Sequence, residues 1–463
     1  MVTLLTACAV GIHAQVGRTF VKKLSEDGRA ELHCSLPRYA GSGRAVIACP
    51  GGAYRFLSFE KEGTDWAAWF NERNVAFFTL RYRLPQGQPE IPVADAYAAM
   101  RLVRDSAEVW NINPYDVGIM GFSAGGHLAA TVSTKAPLDA RPNFSILFYP
   151  VISMNPKLGH AGSSENFLGS HKDDEEWINQ WSAEQHVDHY STPPAILLLS
   201  NDDRVVPPVT NAVAYYSAMR RVGNECTMHI YPRGDHGYGF ASWFKYHDQM
   251  TADLDRWLCD LKVPKQNAVR VACIGNSITR GSLINMASEH GYPAQLQQLL
   301  GYGYNVRNFG MPGYTALRQG DNPYVISKAW QMARDFNPNI VIVKLGTNDA
   351  RGENRAHLKE FEQDLQLMVD TLMMLPSKPR IILATPTKVF KLFHDMTDDH
   401  IQKHIIPYVY KVAKRNGLEV LDLHAVITDE KLMFSDGVHP NQHGAKKLAE
   451  AVAETIKNQN KRK

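Results

Sequence analysis

The sequence predicts an α/β protein built as two consecutive units, and three observations carry that prediction. From Glu31 to about Leu261, short β-rich runs alternate with helix-like segments, the order expected of a mostly parallel sheet covered by helices on both faces. The alternation stops at KVPKQN (262–267), which has proline and charge but no apolar periodicity, and then begins again. The chain also has 463 residues, more than the roughly 250–300 at which a single core stops growing, so each unit can bury a full core. The expected division is a leader at 1–15, a first unit at 16–262 and a second at 263–463.

The start, MVTLLTACAVGIHAQ, is a short apolar stretch followed by the small residue Ala14, as at the end of a secretory signal, although it lacks a basic leader. LTAC at 5–8 also matches a bacterial lipoprotein cleavage box, with Cys8 as the lipid-bearing residue. The alternative is an early helix packed on the body. Export implies a secreted, periplasmic or lipid-anchored protein.

The strand candidates of the first unit are RAVIACP, NVAFFTLRYRL, DVGIMGF, FSILFYPVI, AILLLS and CTMHIYP. DWAAWFNER and VADAYAAMRLVRD read as helices between them, and WFKYHDQMTADLDRWLCDL as a closing helix. In the second unit the strands are AVRVACIG, YNVRNFG, NIVIVKLG, RIILATP and LEVLDL, and Phe361, Leu365, Met368 and Leu372 recur at the spacing of a core-facing helix. The two layouts differ, and no fixed-period repeat links them.

Composition narrows the function classes. A net charge of +3 with dispersed basic residues gives no polyanion footprint, so no nucleic-acid partner is expected. No apolar run of about 20 residues follows the start, so no membrane span is expected. Cys34, Cys49, Cys226, Cys259 and Cys273 are odd in number and sit mostly in apolar runs, which favours buried free thiols over a disulfide framework.

Two serines carry the chemistry. DVGIMGFSAGGHLAATV is a strand, a G-x-S-x-G turn and a small-residue helix, a layout that exposes the Ser123 hydroxyl on a sharp turn. A serine hydroxyl is a weak nucleophile at neutral pH and needs a base that an acid holds in place. His236, in the glycine-rich loop YPRGDHGYGF, is the base candidate, and Asp203 or Asp202, after the apolar run AILLLS, is the acid. The order Ser, Asp, His suits this scaffold. The oxyanion of acyl transfer needs backbone donors, assigned to Gly52 and Ala53 in PGGAYRFLSFEKEG together with Ala124. His127 follows the elbow and reads as structural.

These motifs are similar to those of the α/β-hydrolase superfamily over residues 30–260, and PGGAYRFLSFEKEG with GFSAGGHLAA resembles its bacterial acetyl xylan esterase branch. The resemblance favours Asp203 over Asp202, because DRVVP looks like the segment after the family's acid. It implies deacetylation of plant polysaccharide, with feruloyl release by the first unit, or general esterase or lipase activity, as the alternatives. Ala53 departs from the branch, which often has a third glycine there. The segment 155–190, polar and carrying Trp177 and Trp181, suits sugar stacking better than a lipase lid, although such tryptophans are more often core.

In the second unit Ser277 comes directly after the first strand, in VACIGNSITRG, so this unit is not a second elbow enzyme. Later strand ends offer Gly313 in VRNFGMPGYTA and Asn348 in VIVKLGTNDAR, and MFSDGVHPNQHGAKKLAEAV places Asp436 three residues before His439. Four blocks in this order resemble the SGNH (GDSL-like) hydrolase family over residues 268–458. That resemblance implies a three-layer α/β/α, flavodoxin-like unit in which Ser277 is nucleophile, Gly313 and Asn348 share the oxyanion hole with the serine amide, and Asp436 and His439 activate the serine. Asn276 stands where many members have aspartate, which removes a charge but keeps shape and a carbonyl acceptor. His443 and His424 read as structural or surface residues.

Two serine signatures thus predict two independent ester-hydrolysing sites acting on acetylated plant polysaccharide or oligosaccharide. No cofactor or metal is expected. His400 and His404 have zinc-like spacing in HIQKH but lack the glutamate of a metallohydrolase helix, and no phosphate-cradling glycine loop occurs.

Overall fold

The computed structural model describes residues 18–39 and 41–458. The leader at 1–15, with Ala14 and Cys8, lies outside the described residues. The chain divides into two compact units after Leu261.

The first unit is built on an eight-stranded sheet: β1 (Thr19–Lys23), β2 (Glu31–Ser35), β3 (Ala45–Cys49), β4 (Ala76–Arg81), β5 (Val117–Phe122), β6 (Ser145–Phe148), β7 (Ala195–Ser200) and β8 (Cys226–Tyr231). Their order is β1-β2-β4-β3-β5-β6-β7-β8. The six strands from β3 to β8 run parallel, whereas β2 pairs antiparallel with both β1 and β4. β3, β5, β6 and β7 are buried along their whole length, as a sheet covered on both faces requires. β1 and β2 were not among the strand candidates. TFVKK and ELHCS are short and polar, which protects the exposed edge of the sheet but mutes the apolar signal in the sequence.

Helices Trp66–Glu72, Glu90–Asp105, Ser123–Lys135, Ala212–Arg221 and His247–Asp260 cover this sheet. The closing helix begins at His247, so residues 243–246 lie in the preceding loop and Trp243 is exposed. Trp181 is buried against Phe167 rather than free to stack on sugar, and Trp177 lies flat on His171 at 4.1 Å. Cys34, Cys49 and Cys273 are buried free thiols, but Cys259 is exposed on the outer side of the closing helix.

The second unit holds a five-stranded, all-parallel sheet of β9 (Val269–Gly275), β10 (Tyr304–Gly310), β11 (Ile340–Lys344), β12 (Arg380–Ala384) and β13 (Glu419–Leu421), ordered β10-β9-β11-β12-β13. On one face Val271, Cys273, Ile340 and Ile342 pack with Tyr292, Leu296, Leu448 and Val452 from helices Tyr292–Leu300 and Gln442–Asn458. The alternate residues Ala272, Ile274, Val341 and Val343 are buried on the other face. Phe361, Leu365, Met368 and Leu372 are the buried stripe of helix Phe361–Met373. In both units the chemistry-bearing residues lie in loops beyond the carboxyl ends of the strands, where parallel sheets open their crevices.

Candidate active sites

In the first unit β5 runs directly into the helix Ser123–Lys135, and Ser123 turns the corner at φ 52°. A non-glycine residue in this region is strained, and the turn persists because its neighbours leave no room for another path. A Cβ on Gly125 would sit 2.0 Å from the Cys49 carbonyl oxygen, and one on Gly121 would sit 2.2 Å from that of Gly125. Only glycines let strand, turn and helix meet this closely.

Ser123 Oγ lies 2.8 Å from His236 Nε2, and His236 Nδ1 lies 2.7 Å from Asp203 Oδ2. The other carboxylate oxygen of Asp203 accepts from the amides of Val205 and Val206, so the DRVV turn locks it. Asp202 faces elsewhere: it accepts from the Asp235 amide and thereby shapes the loop that carries His236. The Asp203 side chain is 1% exposed and the His236 ring 13%, so the acid is sealed while the base meets the cleft.

Gly52, Ala53 and Tyr54 all have positive φ, 129°, 55° and 58°. This loop passes against the elbow, since a Cβ on the adjoining Gly51 would be 2.9 Å from that of Ser123. The amides of Gly52, Ala53 and Ala124 have no acceptor among the described residues. Two buried ties hold the loop. Tyr54 donates its hydroxyl to His127 Nδ1 at 2.7 Å, and His127 Nε2 donates to the Trp181 carbonyl at 2.7 Å. Asn166 donates to the Ala53 carbonyl at 2.9 Å. Burial pulls His127 down to about 4, against the hydrogen bond to Trp181 and with help from Lys135, so the ring is a neutral structural piece.

Sequence reasoning missed Glu62 and Tyr149. Glu62 is 3% exposed, accepts the Gly51 amide at 2.9 Å and accepts the Tyr149 hydroxyl at 2.8 Å. Tyr149 in turn accepts the Gly239 amide and packs against His236 with ring centroids 4.8 Å apart. Burial pushes the Glu62 carboxyl up, while the bonds from Tyr149 and Gly51 oppose that shift. The only signal was a glutamate within the PGGAYRFLSFEKEG motif, on a segment that gave no strand or helix pattern.

The second unit repeats the line of contacts on different elements. Ser277 Oγ lies 2.8 Å from His439 Nε2, and His439 Nδ1 lies 2.7 Å from Asp436 Oδ2. Asp436 also accepts the amides of Val438 and His439, so one four-residue turn supplies and orients both groups. Burial alone would raise the Asp436 carboxyl, but those amides and the ring outweigh it and hold it below its usual range. Asn276 caps the short helix Ser277–Arg280 by accepting the Ile278 amide, while its buried Nδ2 has no partner among the described residues. Asn348 Nδ2 donates to the Tyr314 carbonyl, and one proton remains for a ligand. The Gly313 amide has no acceptor among the described residues.

Two of the other histidines singled out in the sequence have structural roles. His424 pairs with Asp398 at 2.9 Å, and His400 closes a capping box with Thr397. His443 is exposed.

Comparison with known proteins matches residues 46–240 to the alpha/beta hydrolase fold family and residues 273–447 to the GDSL-like Lipase/Acylhydrolase family. The acetylxylan esterase of Xylanibacter ruminicola is 48% identical over 98% of each chain. The chain belongs to this acetylxylan esterase family. It is a carboxylic ester hydrolase with two hydrolase units. Endo-1,4-beta-xylanase B of Butyrivibrio fibrisolvens is 31% identical over 42% of this chain and 33% of its own length. A crystal structure of an acetyl ester-xyloside bifunctional hydrolase from Caldicellulosiruptor lactoaceticus covers 53% of this chain and 96% of its own, at 30% identity and a TM-score of 0.48.

Proposed function

We propose that this family member removes acetyl groups from xylan or a related hemicellulose at two serine sites. The observation that supports it most directly is the repeated geometry: Oγ to Nε2 at 2.8 Å and Nδ1 to Oδ2 at 2.7 Å, once around Ser123 and once around Ser277. Each is the line along which a hydroxyl proton is drawn onto an oriented imidazole.

At the first site Ser123 Oγ attacks the acetyl carbonyl as its proton passes to His236 Nε2, and Asp203 stabilises the imidazolium without taking the proton. The oxyanion collects donors from Gly52, Ala53 and Ala124. Collapse releases the sugar hydroxyl, protonated by His236, and leaves an acetyl-serine. Water then attacks with His236 as base, which frees acetate and restores the serine. At the second site Ser277, His439 and Asp436 take the same three roles, with the Ser277 amide, Gly313 and Asn348 around the oxyanion.

Among the described residues no helix is long and apolar enough to cross a membrane. Polymeric hemicellulose cannot cross a membrane intact, and action on the polymer supports a place outside the cytoplasm. The test is acetate release from acetylated xylan by wild type and by the Ser123→Ala, Ser277→Ala double variant. Wild type should release acetate and the double variant none; residual release would remove both serines from the chemistry.

A further inference from the structure

One charged side chain beside the second site is used neither by the triad nor by the oxyanion donors. Arg351 follows the turn Asn348–Ala350, and its side chain is only 12% exposed. Its Nη2 donates to the Gly313 carbonyl at 3.1 Å and to Asp321 Oδ2 at 2.6 Å, and its Nε reaches the Asn348 carbonyl at 3.4 Å. A single guanidinium therefore touches the backbone of both residues assigned to the oxyanion hole, which arrive on separate loops after β10 and β11.

The anchor of that guanidinium is itself fixed. Asp321 Oδ1 accepts Asn354 Nδ2 at 3.0 Å, the Asp321 amide donates to Asn354 Oδ1 at 2.9 Å, and Asn354 Nδ2 also donates to the Asn348 carbonyl at 2.9 Å. Two more ties join the same loops: Asn348 Nδ2 to the Tyr314 carbonyl, and the Leu317 amide to Asp349 Oδ1, both at 2.9 Å.

Packing does not explain why Gly313 holds its orientation. It sits at φ 85°, and a Cβ built there would meet only Asn322 Nδ2, at 3.9 Å. A glycine with open space around it is the most mobile kind of backbone, so its peptide direction must come from hydrogen bonds. An oxyanion donor must also be held to within a fraction of an ångström before the reaction to be worth anything. A planar fork that bonds two carbonyls and a carboxylate meets that need, and a lysine ammonium would not.

We propose that Arg351, anchored by Asp321, is a positioning residue that fixes the Gly313 amide and the Asn348 side-chain amide relative to each other in the second site. The inference rests on the reading of that site as a serine esterase. Arg351 touches no reacting atom. It acts through the loops it joins, and its loss loosens the hole without removing a donor.

The test uses the full chain carrying Ser123→Ala, so that only the second site turns over p-nitrophenyl acetate. Arg351→Gln and Asp321→Asn should lower kcat by about 10- to 10²-fold with KM changed by less than about twofold, the signature of a misplaced transition-state contact. Arg351→Lys should recover only part of the loss. Methylguanidinium added to Arg351→Gly should restore turnover that an equal concentration of sodium chloride does not. An ordinary surface ion pair would shift the melting temperature and leave kcat in place. The proposal is overturned if folded Arg351→Gln keeps kcat within about twofold of its parent, or if only KM changes. Should Arg351→Gln not fold, the Arg351→Lys and Asp321→Asn values decide by the same criterion. Ser277→Ala in the same background is the separate control: hydrolysis that survives it refutes the esterase reading of the site rather than the clamp.

Discussion

The serines, histidines and aspartates that the structure brings together were legible because each sits in a short motif whose neighbours announce its backbone. Ser123 lies between glycines, His236 and His439 in glycine- or proline-bearing loops, and Asp436 at a fixed offset from its partner. Glu62 and Arg351 were not legible, since what matters about them is which distant carbonyl or amide they reach. Ala53 is an intermediate case, legible as a departure but not as a strained one. Its φ of 55° costs an alanine about 1–2 kcal/mol, while glycine adds about 0.5–1 kcal/mol of entropy to the unfolded chain. Ala53→Gly should therefore stabilise the first unit by up to about 1 kcal/mol, read as a rise in its calorimetric melting temperature; a fall would mean that the methyl packs more than the backbone strains. His127 predicts a pH dependence of stability. Its folded value of about 4 lies below the ordinary 6.5, so between those pH values the unfolded chain binds a proton that the folded chain refuses. The stabilisation is complete above 6.5 and is lost as pH falls towards 4, at no more than about 1.4 kcal/mol per pH unit. His127→Gln keeps a donor and an acceptor but cannot titrate. Its urea midpoint for the first unit should fall less steeply over that window than that of wild type, and parallel slopes would reject the assignment.

At the scale of elements, the central strands were easy to find and the edge was not. β5 and β7 are buried throughout because helices cover both faces, whereas β1 and β2 earn their place by backbone pairing and carry lysine, glutamate and histidine. The elbow is the element where local sequence and long-range packing meet. Gly125 belongs to the motif, yet what forbids a side chain there is β3: a Cβ would stand 2.0 Å from the Cys49 carbonyl oxygen and 2.4 Å from that of Pro50. Both obstacles are backbone and cannot rotate away, so Gly125→Ala must move the end of β3 and with it the Gly52 and Ala53 amides. Overpacking of this kind costs about 1–3 kcal/mol, and misplacing a donor by about an ångström costs roughly 10²-fold in rate. Gly125→Ala assayed in the Ser277→Ala background should thus lose about two orders of magnitude in kcat. In the Ser123→Ala background the same change should leave turnover unaffected, because no element of the second unit is involved.

At the scale of the whole molecule, two units with unrelated sheets each bring a serine, a histidine and an aspartate into one line of contacts, the set proposed as nucleophile, base and acid, so each should work when the other is silenced. The two sites differ in how far serine and aspartate are buried, although His236 and His439 are equally exposed at 13%. Ser123 is 8% exposed and the Asp203 side chain 1%, whereas Ser277 is half-buried and the Asp436 side chain 19% exposed. A deeper site demands that the acetyl group project well clear of the sugar ring, and a shallower one tolerates a group flanked by neighbouring substituents. The two should therefore prefer different hydroxyl positions on the same polysaccharide. Because both ride on one chain, a polymer held at one site also meets the other at a raised effective concentration. Time-resolved NMR of acetylated xylan and glucomannan should show Ser123→Ala and Ser277→Ala removing acetyl groups from different positions. Mixing the two single variants should reproduce the set of positions cleared by wild type at a lower rate, because the tether is lost. Identical positional profiles for the two variants would end the division of labour, and a mixture as fast as wild type would show that the shared chain contributes nothing to the rate.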